Sequence, residues 1–212
     1  IGIGLMGHAF VERFQSCGVK TGVFNRTSEN VADLADKDID IYSTAETLLE
    51  AYDTIILMLS DASAIEATLP LDSEDALAGK TILQMATIAP TQSRELADKV
   101  GARGGRYLEA PVLGSLPEAR SGSLIIMAGG DRSVFDDSLE VLQVLSQAPR
   151  YIGETGAGAA LKLAMNQLIA SLTAGFSLSL GYALKNGVDT DLFMDTVRDS
   201  ALYAKTYDKK LD

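Results

Sequence analysis

Cysteine and histidine are almost missing from this chain of 212 residues: Cys17 and His8 are the only ones. A lone cysteine excludes an internal disulfide framework and fits the cytoplasm or another reducing compartment. At the end of the first helix it reads as a packed thiol. With so few soft ligands there is no cluster to hold a metal ion, and no metal site is expected. Positive charge is scarce as well, since 18 Lys and Arg against 29 Asp and Glu give a formal net charge of −11. That balance argues against nucleic acid as a general partner, because such binding relies on cations neutralising phosphates, and it leaves room only for a local basic pocket. No cationic stretch and apolar core stand ahead of residue 2, so no signal peptide is read; loss of a targeting segment ahead of Ile1 is compatible with the same observation. Apolar residues, by contrast, are plentiful. A content of 47% hydrophobic and 22% charged residues is that of a globular protein able to bury a core.

What is present begins with glycine. Gly2-Ile3-Gly4-Leu5-Met6-Gly7 has the spacing of a strand-to-helix turn that binds a dinucleotide. The first glycine permits the tight turn, the second lets backbone approach the pyrophosphate, and the third lets the helix pack closely on the strand. The amides at the helix start then receive phosphate. The cofactor contacts read from this block are Gly2, Gly4, Leu5, Met6 and Gly7. The motif is weak alone and gains weight from its setting, a helix over residues 5–16 followed by a strand over 21–25. A strand should also enter the turn, and only Ile1 represents it, so the chain is expected to be trimmed at its start.

The end of the next strand, Phe24-Asn25-Arg26-Thr27-Ser28, bears on the choice of cofactor. An NAD site usually carries Asp or Glu here for the ribose hydroxyls, whereas Arg accommodates the extra phosphate of NADP. Asn25 removes the repelling carboxylate, Arg26 can stack on adenine or pair with phosphate, and Thr27 can donate a hydrogen bond. NADP (NADPH) is therefore favoured. The plainer alternative is a helix cap by Thr27 or Ser28 with a solvated Arg26, and the two roles are compatible.

Short β-rich runs continue to alternate with helical ones. Strands are expected at 39–42, 54–59, 81–85, 106–108, 124–128 and 150–152, and helices at 29–36, behind a cap at Ser43 or Thr44, at 91–100 and at 133–145. This is the α/β pattern of a Rossmann doubly wound parallel sheet, placed at residues 1–153. The loop after the apolar 54–59 run sits where ligands collect, at a carboxyl end, so Leu59 and Ser60 are read as lining the dinucleotide. From 159 to 186 there is no strand signal and no proline: a single long helix, with Gly187 as its stop and a second helix at 188–199. The chain then runs into a charged stretch ending at Asp212. Residues 154–212 are expected to begin an all-helical C-terminal domain, for substrate or oligomerisation, that continues past residue 212. The long helix carries Lys162 and Lys185 as its only charges, so a membrane span has to be weighed. Asn166, Gln167, Ser171, Thr173, Ser177 and Ser179 interrupt it often. It therefore reads as a helix buried in protein, against the Rossmann domain, later helices or another subunit, with no membrane and a homodimer or homotetramer expected.

Three further blocks follow the glycine motif: Met85-Ala-Thr-Ile-Ala-Pro90, Glu109-Ala-Pro-Val-Leu-Gly-Ser115 and Gly156-Ala-Gly-Ala-Ala-Leu-Lys-Leu-Ala-Met-Asn166. In this order and spacing the four blocks resemble the β-hydroxyacid dehydrogenase family, which includes 3-hydroxyisobutyrate dehydrogenases and glyoxylate or succinic semialdehyde reductases. The resemblance implies that Lys162 is the catalytic group and Asn166 its companion. Elementary chemistry agrees, because residues four apart share a helix face, and an ammonium can stabilise and protonate a carbonyl oxygen as hydride adds to its carbon. A lysine near a helix start that only snorkels to solvent is the bland alternative. The resemblance also implies that Thr87 contacts cofactor near the nicotinamide, although it has a second role in ending the strand before Pro90. It places the substrate carboxylate at Leu113, Gly114 and Ser115. Leu113 stands where the family has serine, which suggests an altered acid or recognition shifted to Ser115 and backbone amides. His8 merely follows the glycine motif and reads as a partly exposed helix residue. The expected function is NADPH-dependent reduction of a short aldehyde or keto acid to a hydroxyacid, or the reverse, on a small-molecule carbonyl or hydroxyacid substrate. An imine reductase-like enzyme is one alternative, though such enzymes commonly have another residue at the position of Lys162. A non-catalytic dinucleotide-binding scaffold is the other.

Overall fold

The computed structural model describes residues 1–35 and 39–208. Its first part alternates α1 (Leu5–Ser16), β1 (Gly22–Val23), β2 (Asp40–Ile41), α2 (Ala45–Ala51), β3 (Thr54–Leu57), α3 (Ala62–Glu66), β4 (Thr81–Gln84), α4 (Pro90–Gly101), β5 (Arg106–Glu109), β6 (Val112–Leu113), α5 (Leu116–Ser121), β7 (Ile125–Gly130), α6 (Arg132–Leu145) and β8 (Arg150–Gly153). Helices α7 (Ala157–Lys185) and α8 (Thr190–Arg198) follow. Strands β3, β4 and β5 pair in parallel, as strands joined by crossover helices must. On the far side β7 runs antiparallel to both β5 and β6, and β8 is parallel to β7. The link from β6 to β7 carries only the short α5, which returns the chain antiparallel. Strands β1 and β2 form their own parallel ladder. Ile1 and Gly2 join it to the larger sheet: the Gly2 amide donates to the Phe24 carbonyl at 3.1 Å and the Met58 amide to the Ile1 carbonyl at 2.9 Å.

Neighbouring residues of the central strands feed two different cores. Ile82 and Tyr107 pack with Leu48, Ile65, Leu96 and Val100 of α2, α3 and α4. Leu83 and Leu108, one residue on, pack with Phe10, Phe14, Ala119, Phe135 and Leu142 of α1, α5 and α6. A period of two thus serves both faces, which explains why these strands read as nearly continuous apolar runs. Ile82 and Leu83 are fully buried, each contributing about 1.5–3 kcal/mol relative to exposure. The result is the doubly wound, largely parallel sheet expected from the sequence, with a helical region after it.

Several local expectations need correction. The segment expected as a helix over 29–36 is a 3₁₀ helix at Ser28–Leu34; Val31 and Leu34, its buried residues, are three apart, the spacing that aligns on a three-residue turn. Asp36, the expected end, lies outside the described residues, as does the charged stretch from 209 to Asp212. Cys17 is exposed at the C-cap of α1 rather than packed.

The described chain divides into two compact units, Ile1–Lys162 and a second beginning at Leu163. In the second, Phe176 stacks on Tyr207 at 4.7 Å and meets Phe193 at 6.1 Å, while the Asp189 carboxylate caps α8. By length and composition α7 is the one helix among the described residues apolar enough to cross a membrane. Among the described residues of this one chain, Phe176 is the only buried residue of α7 from Leu163 onward, and Leu178 and Tyr182 are 76% and 73% exposed.

Candidate active site

The glycine turn has the geometry its spacing implies. Gly2 has φ +89°, and a Cβ there would lie 2.4 Å from the Met58 carbonyl oxygen. A Cβ on Gly7 would lie 2.1 Å from the Gly2 carbonyl oxygen, so α1 can begin where it does only with glycine at both places. Gly4 differs, because nothing lies within 4 Å of the Cβ it lacks. It is the N-cap of α1, which has no side-chain cap and no acid in its first turn. The first amides of α1 therefore face out beside open space, as an anion site requires. Leu5 is exposed at this helix start and Met6 is half-buried.

Asn25 does more than withhold a carboxylate. Its Oδ1 accepts from the Ile3 amide at 2.9 Å and its Nδ2 donates to the Thr27 carbonyl at 2.9 Å, pinning the strand end to the glycine turn. Arg26 and Thr27 are exposed beyond it. Thr27 is the N-cap residue of the 3₁₀ helix, yet its side chain makes no capping bond. Across the turn, Leu59 is half-buried, with its Cδ2 3.1 Å from the Cβ position of Gly2. Ser60 is exposed and donates to the Asp61 carboxylate at 2.8 Å. Asp61 caps α3 through the Ala64 amide at 2.8 Å, and this bond, followed by the one from Ser60, holds its carboxyl below the usual range. Thr87 is exposed past the end of β4. His8 is half-buried, its Nε2 3.0 Å from the Asn30 carbonyl, which ties α1 to the 3₁₀ helix. A cavity of about 340 Å³ between α1, β1 and β3 is lined by Phe10, Phe14, Val23 and Ile55 and reaches Gly2, Gly7 and Met58 at the turn.

In the third block, Leu113 pairs with Ile125 across β6 and β7. Gly114 and Ser115 are exposed in the turn that follows. Ser115 is occupied: its amide and hydroxyl both donate to the Glu118 carboxylate, at 2.8 and 2.7 Å, where they start α5. Its hydroxyl is thus committed to the helix start. Lys162 and Asn166 both stand on α7, one turn apart. Lys162 is half-buried, without an ion-pair partner among the described residues, and burial lowers its pKa from the ordinary 10.5. Asn166 is exposed.

The residue missed by the sequence reading is Glu109. It is fully buried on β5, and its Oε1 accepts from the amides of Gly156, Gly158 and Ala159 at 2.8, 2.8 and 3.2 Å. Its Oε2 accepts from the Ser93 hydroxyl, which is also 2.9 Å from that of Tyr107. Burial holds the Tyr107 phenol far above its ordinary pKa, so it remains a donor. A charged residue inside an apolar strand, with a glycine-rich helix start lacking a capping side chain elsewhere in the chain, was the available signal.

Comparison with known proteins shows what the chain is similar to. Residues 1–153 match the NAD binding domain of 6-phosphogluconate dehydrogenase. Glyoxylate/succinic semialdehyde reductase 1 of Arabidopsis thaliana is 31% identical over 199 residues, 92% of this chain and 68% of that protein. Mitochondrial 3-hydroxyisobutyrate dehydrogenase of Drosophila melanogaster is 28% identical over 94% of this chain and 62% of its own length. The chain thus spans roughly two thirds of these relatives. Among solved structures, the reductive aminase of Aspergillus terreus in complex with NADPH and ethyl levulinate superimposes with a TM-score of 0.84 at 28% identity, over 93% of this chain and 69% of that one. The matched nucleotide-binding domain and a relative of this similarity establish that the chain belongs to the β-hydroxyacid dehydrogenase family.

Proposed function

We propose that the protein is an NADPH-dependent oxidoreductase that reduces a short aldehyde or keto acid to a hydroxyacid, or catalyses the reverse, with Lys162 as general acid or base. The observation that carries this reading is Lys162 itself: a half-buried amine with no ion-pair partner among the described residues, at the family's catalytic position, its proton loosened by burial. The cradle at α1 suits a dinucleotide, since Gly4 leaves space and the first amides carry no cap. Gly2, Gly4, Leu5, Met6 and Gly7 would hold its pyrophosphate, with Leu59, Ser60 and Thr87 alongside. Bound nicotinamide supplies or takes up the hydride. For reduction, Lys162 donates a hydrogen bond to the carbonyl oxygen and then its proton; for oxidation, the neutral amine takes that proton. Asn166 orients the substrate. Leu113, Gly114 and Ser115 bound the acid end, with the Gly114 amide as the donor because the Ser115 amide and hydroxyl are both engaged by Glu118.

The choice of NADP rests on the strand end, where Asn25 turns both its polar atoms inward and Arg26 and Thr27 are exposed with Thr27 uncommitted as a cap. The A. terreus aminase, solved with NADPH, supports the same choice and also favours a second reading, imine reduction. Lys162 supports carbonyl chemistry as the first. Residues 1–153 are assigned to NADP binding and 154–212 to a helical substrate or oligomerisation domain. The exposed apolar surface of α7 is assigned to protein contact in a dimer or tetramer rather than to lipid, on its recurrent Ser, Thr, Asn and Gln. A reducing compartment such as the cytoplasm fits the lone cysteine. The test is a panel of short aldehydes, keto acids and imines with NADPH and the full-length protein. Turnover of a carbonyl that is lost in Lys162→Ala, with NADPH binding retained, is expected. Near-normal turnover by Lys162→Ala refutes the assignment.

A further inference from the structure

The buried carboxylate of Glu109 joins two parts of the proposed site that are far apart in sequence. It ends β5, four residues before the 113–115 segment assigned to substrate, and its partners at the start of α7 are 47 to 50 residues away. A helix start has donors that no residue of the helix can satisfy. Here the Ala157 amide goes to the Glu154 carbonyl at 3.0 Å, and those of Gly156, Gly158 and Ala159 all go to Glu109 Oε1. The lodging is built for this contact. A Cβ on Gly158 would lie 2.2 Å from the Met127 carbonyl oxygen, and one on Gly129 would lie 2.3 Å from Glu109 Oε1. Behind the carboxylate, the Ser93 hydroxyl fixes Oε2 and Tyr107 fixes Ser93, all three residues being buried. Lys162 stands one helical turn beyond Gly158.

We propose that Glu109 is the positioning residue for Lys162: through three amides it fixes the first turn of α7 against β5 and β7, and so sets where the amine stands relative to the substrate segment. The inference rests on Lys162 being the acid of the proposed reaction. It acts through hydrogen bonds, since the carboxylate accepts and the helix start donates. Gln can keep the acceptor toward α7 and donate its amide to Ser93, whose hydroxyl then turns to Tyr107.

The test uses the full-length protein with the substrate found above. Glu109→Ala is expected to lower kcat roughly 100-fold, the scale of a 1 Å misplacement at a reacting centre, while the NADPH Kd stays within about twofold. Glu109→Gln is expected to recover kcat to within about tenfold of the parent, because the bonds survive without the charge. In a Lys162→Ala background Glu109→Ala should cause no further loss, since a residue acting through Lys162 has nothing left to position. Amide hydrogen exchange adds a readout independent of turnover: protection should fall in the first turns of α7 and hold elsewhere. Should Glu109→Ala not fold, Glu109→Asp, with the carboxylate withdrawn by one methylene, takes its place in every comparison. Equal losses from Glu109→Ala with and without Lys162, or a Gln variant as impaired as the Ala one, overturn the positioning role and leave the function of Lys162 standing. Normal turnover by Lys162→Ala alone overturns the proposed function instead, and unchanged exchange at α7 overturns the anchoring in either case.

Discussion

Glycines 4 and 7 stand in one motif, yet a methyl group at each should have opposite effects. In Gly7→Ala the new Cβ would lie 2.1 Å from the Gly2 carbonyl oxygen, more than 1 Å inside an ordinary carbon–oxygen contact of about 3.3 Å. The obstacle is backbone, held by the Gly2 amide's bond to Phe24 and by a φ of +89°, so it cannot swing aside as a side chain would. Overpacking of this kind costs about 3 kcal/mol at the upper end, and the better helix propensity of Ala returns about 1. The net loss of about 2 kcal/mol corresponds to a Tm lower by roughly 4–8 °C in a protein of this size. In Gly4→Ala the Cβ meets nothing within 4 Å, and φ of −87° is open to any residue. Stability should change by less than about 1 kcal/mol, since the freedom lost by the unfolded chain offsets the poorer N-cap that Ala makes. The methyl instead occupies the space through which pyrophosphate approaches the amides of α1. NADPH affinity should fall at least tenfold, about 1.4 kcal/mol. Thermal unfolding without cofactor and a fluorescence titration with NADPH separate the two effects. Parental affinity in Gly4→Ala refutes the phosphate role of α1, and a parental Tm in Gly7→Ala refutes the steric argument.

Two more tests address cofactor choice and proton transfer. Arg26→Asp should weaken NADPH by roughly 10- to 100-fold, the worth of one charge-assisted hydrogen bond, and raise the relative affinity for NADH; an unchanged NADPH to NADH ratio in paired titrations contradicts the assignment. Because burial penalises the ammonium of Lys162, the amine loses its proton at a lower pH than 10.5. Reduction, which needs the ammonium, should therefore decline with rising pH before 10.5 is reached, while oxidation, which needs the neutral amine, should increase over the same interval. Profiles of kcat in both directions check the sign, and a reduction rate constant up to pH 10.5 would contradict it.

Much of the fold was legible because its signals are local or periodic. Helix α1 occurs at the residues expected, since the glycines that start it and the 3.6-residue spacing of Phe10 and Phe14 lie within one segment. The strands were legible as apolar runs because both of their faces are covered. Helix α3 and helix α5 were not, having five and six residues and too little length for a period to emerge. That the helix near 29–36 winds as 3₁₀ was not legible, because Val31 and Leu34 satisfy either geometry. At the candidate site, the motif residues were legible by type, but their hydrogen-bond commitments were not. Asn25 looked like a missing charge and is also a brace. Ser115 looked like a spare hydroxyl and is engaged by Glu118, three residues on. Sequence spacing shows which groups stand near one another and leaves open which neighbour takes the bond.

The two helix starts make the same point at longer range. Both α1 and α7 begin in glycine-rich turns, and each presents amides that the helix itself cannot satisfy. At α1 the N-cap Gly4 brings no capping side chain, and the motif around it leaves space for an acceptor from outside. At α7 the acceptor is Glu109, delivered by a strand 47 residues earlier, and the glycine at 158 makes room for a neighbouring strand. The same partial charge thus serves recognition at one helix and placement at the other. What distinguishes them is whether the missing Cβ would meet protein, and this criterion separates a ligand cradle from a packing contact where the spacing of glycines cannot.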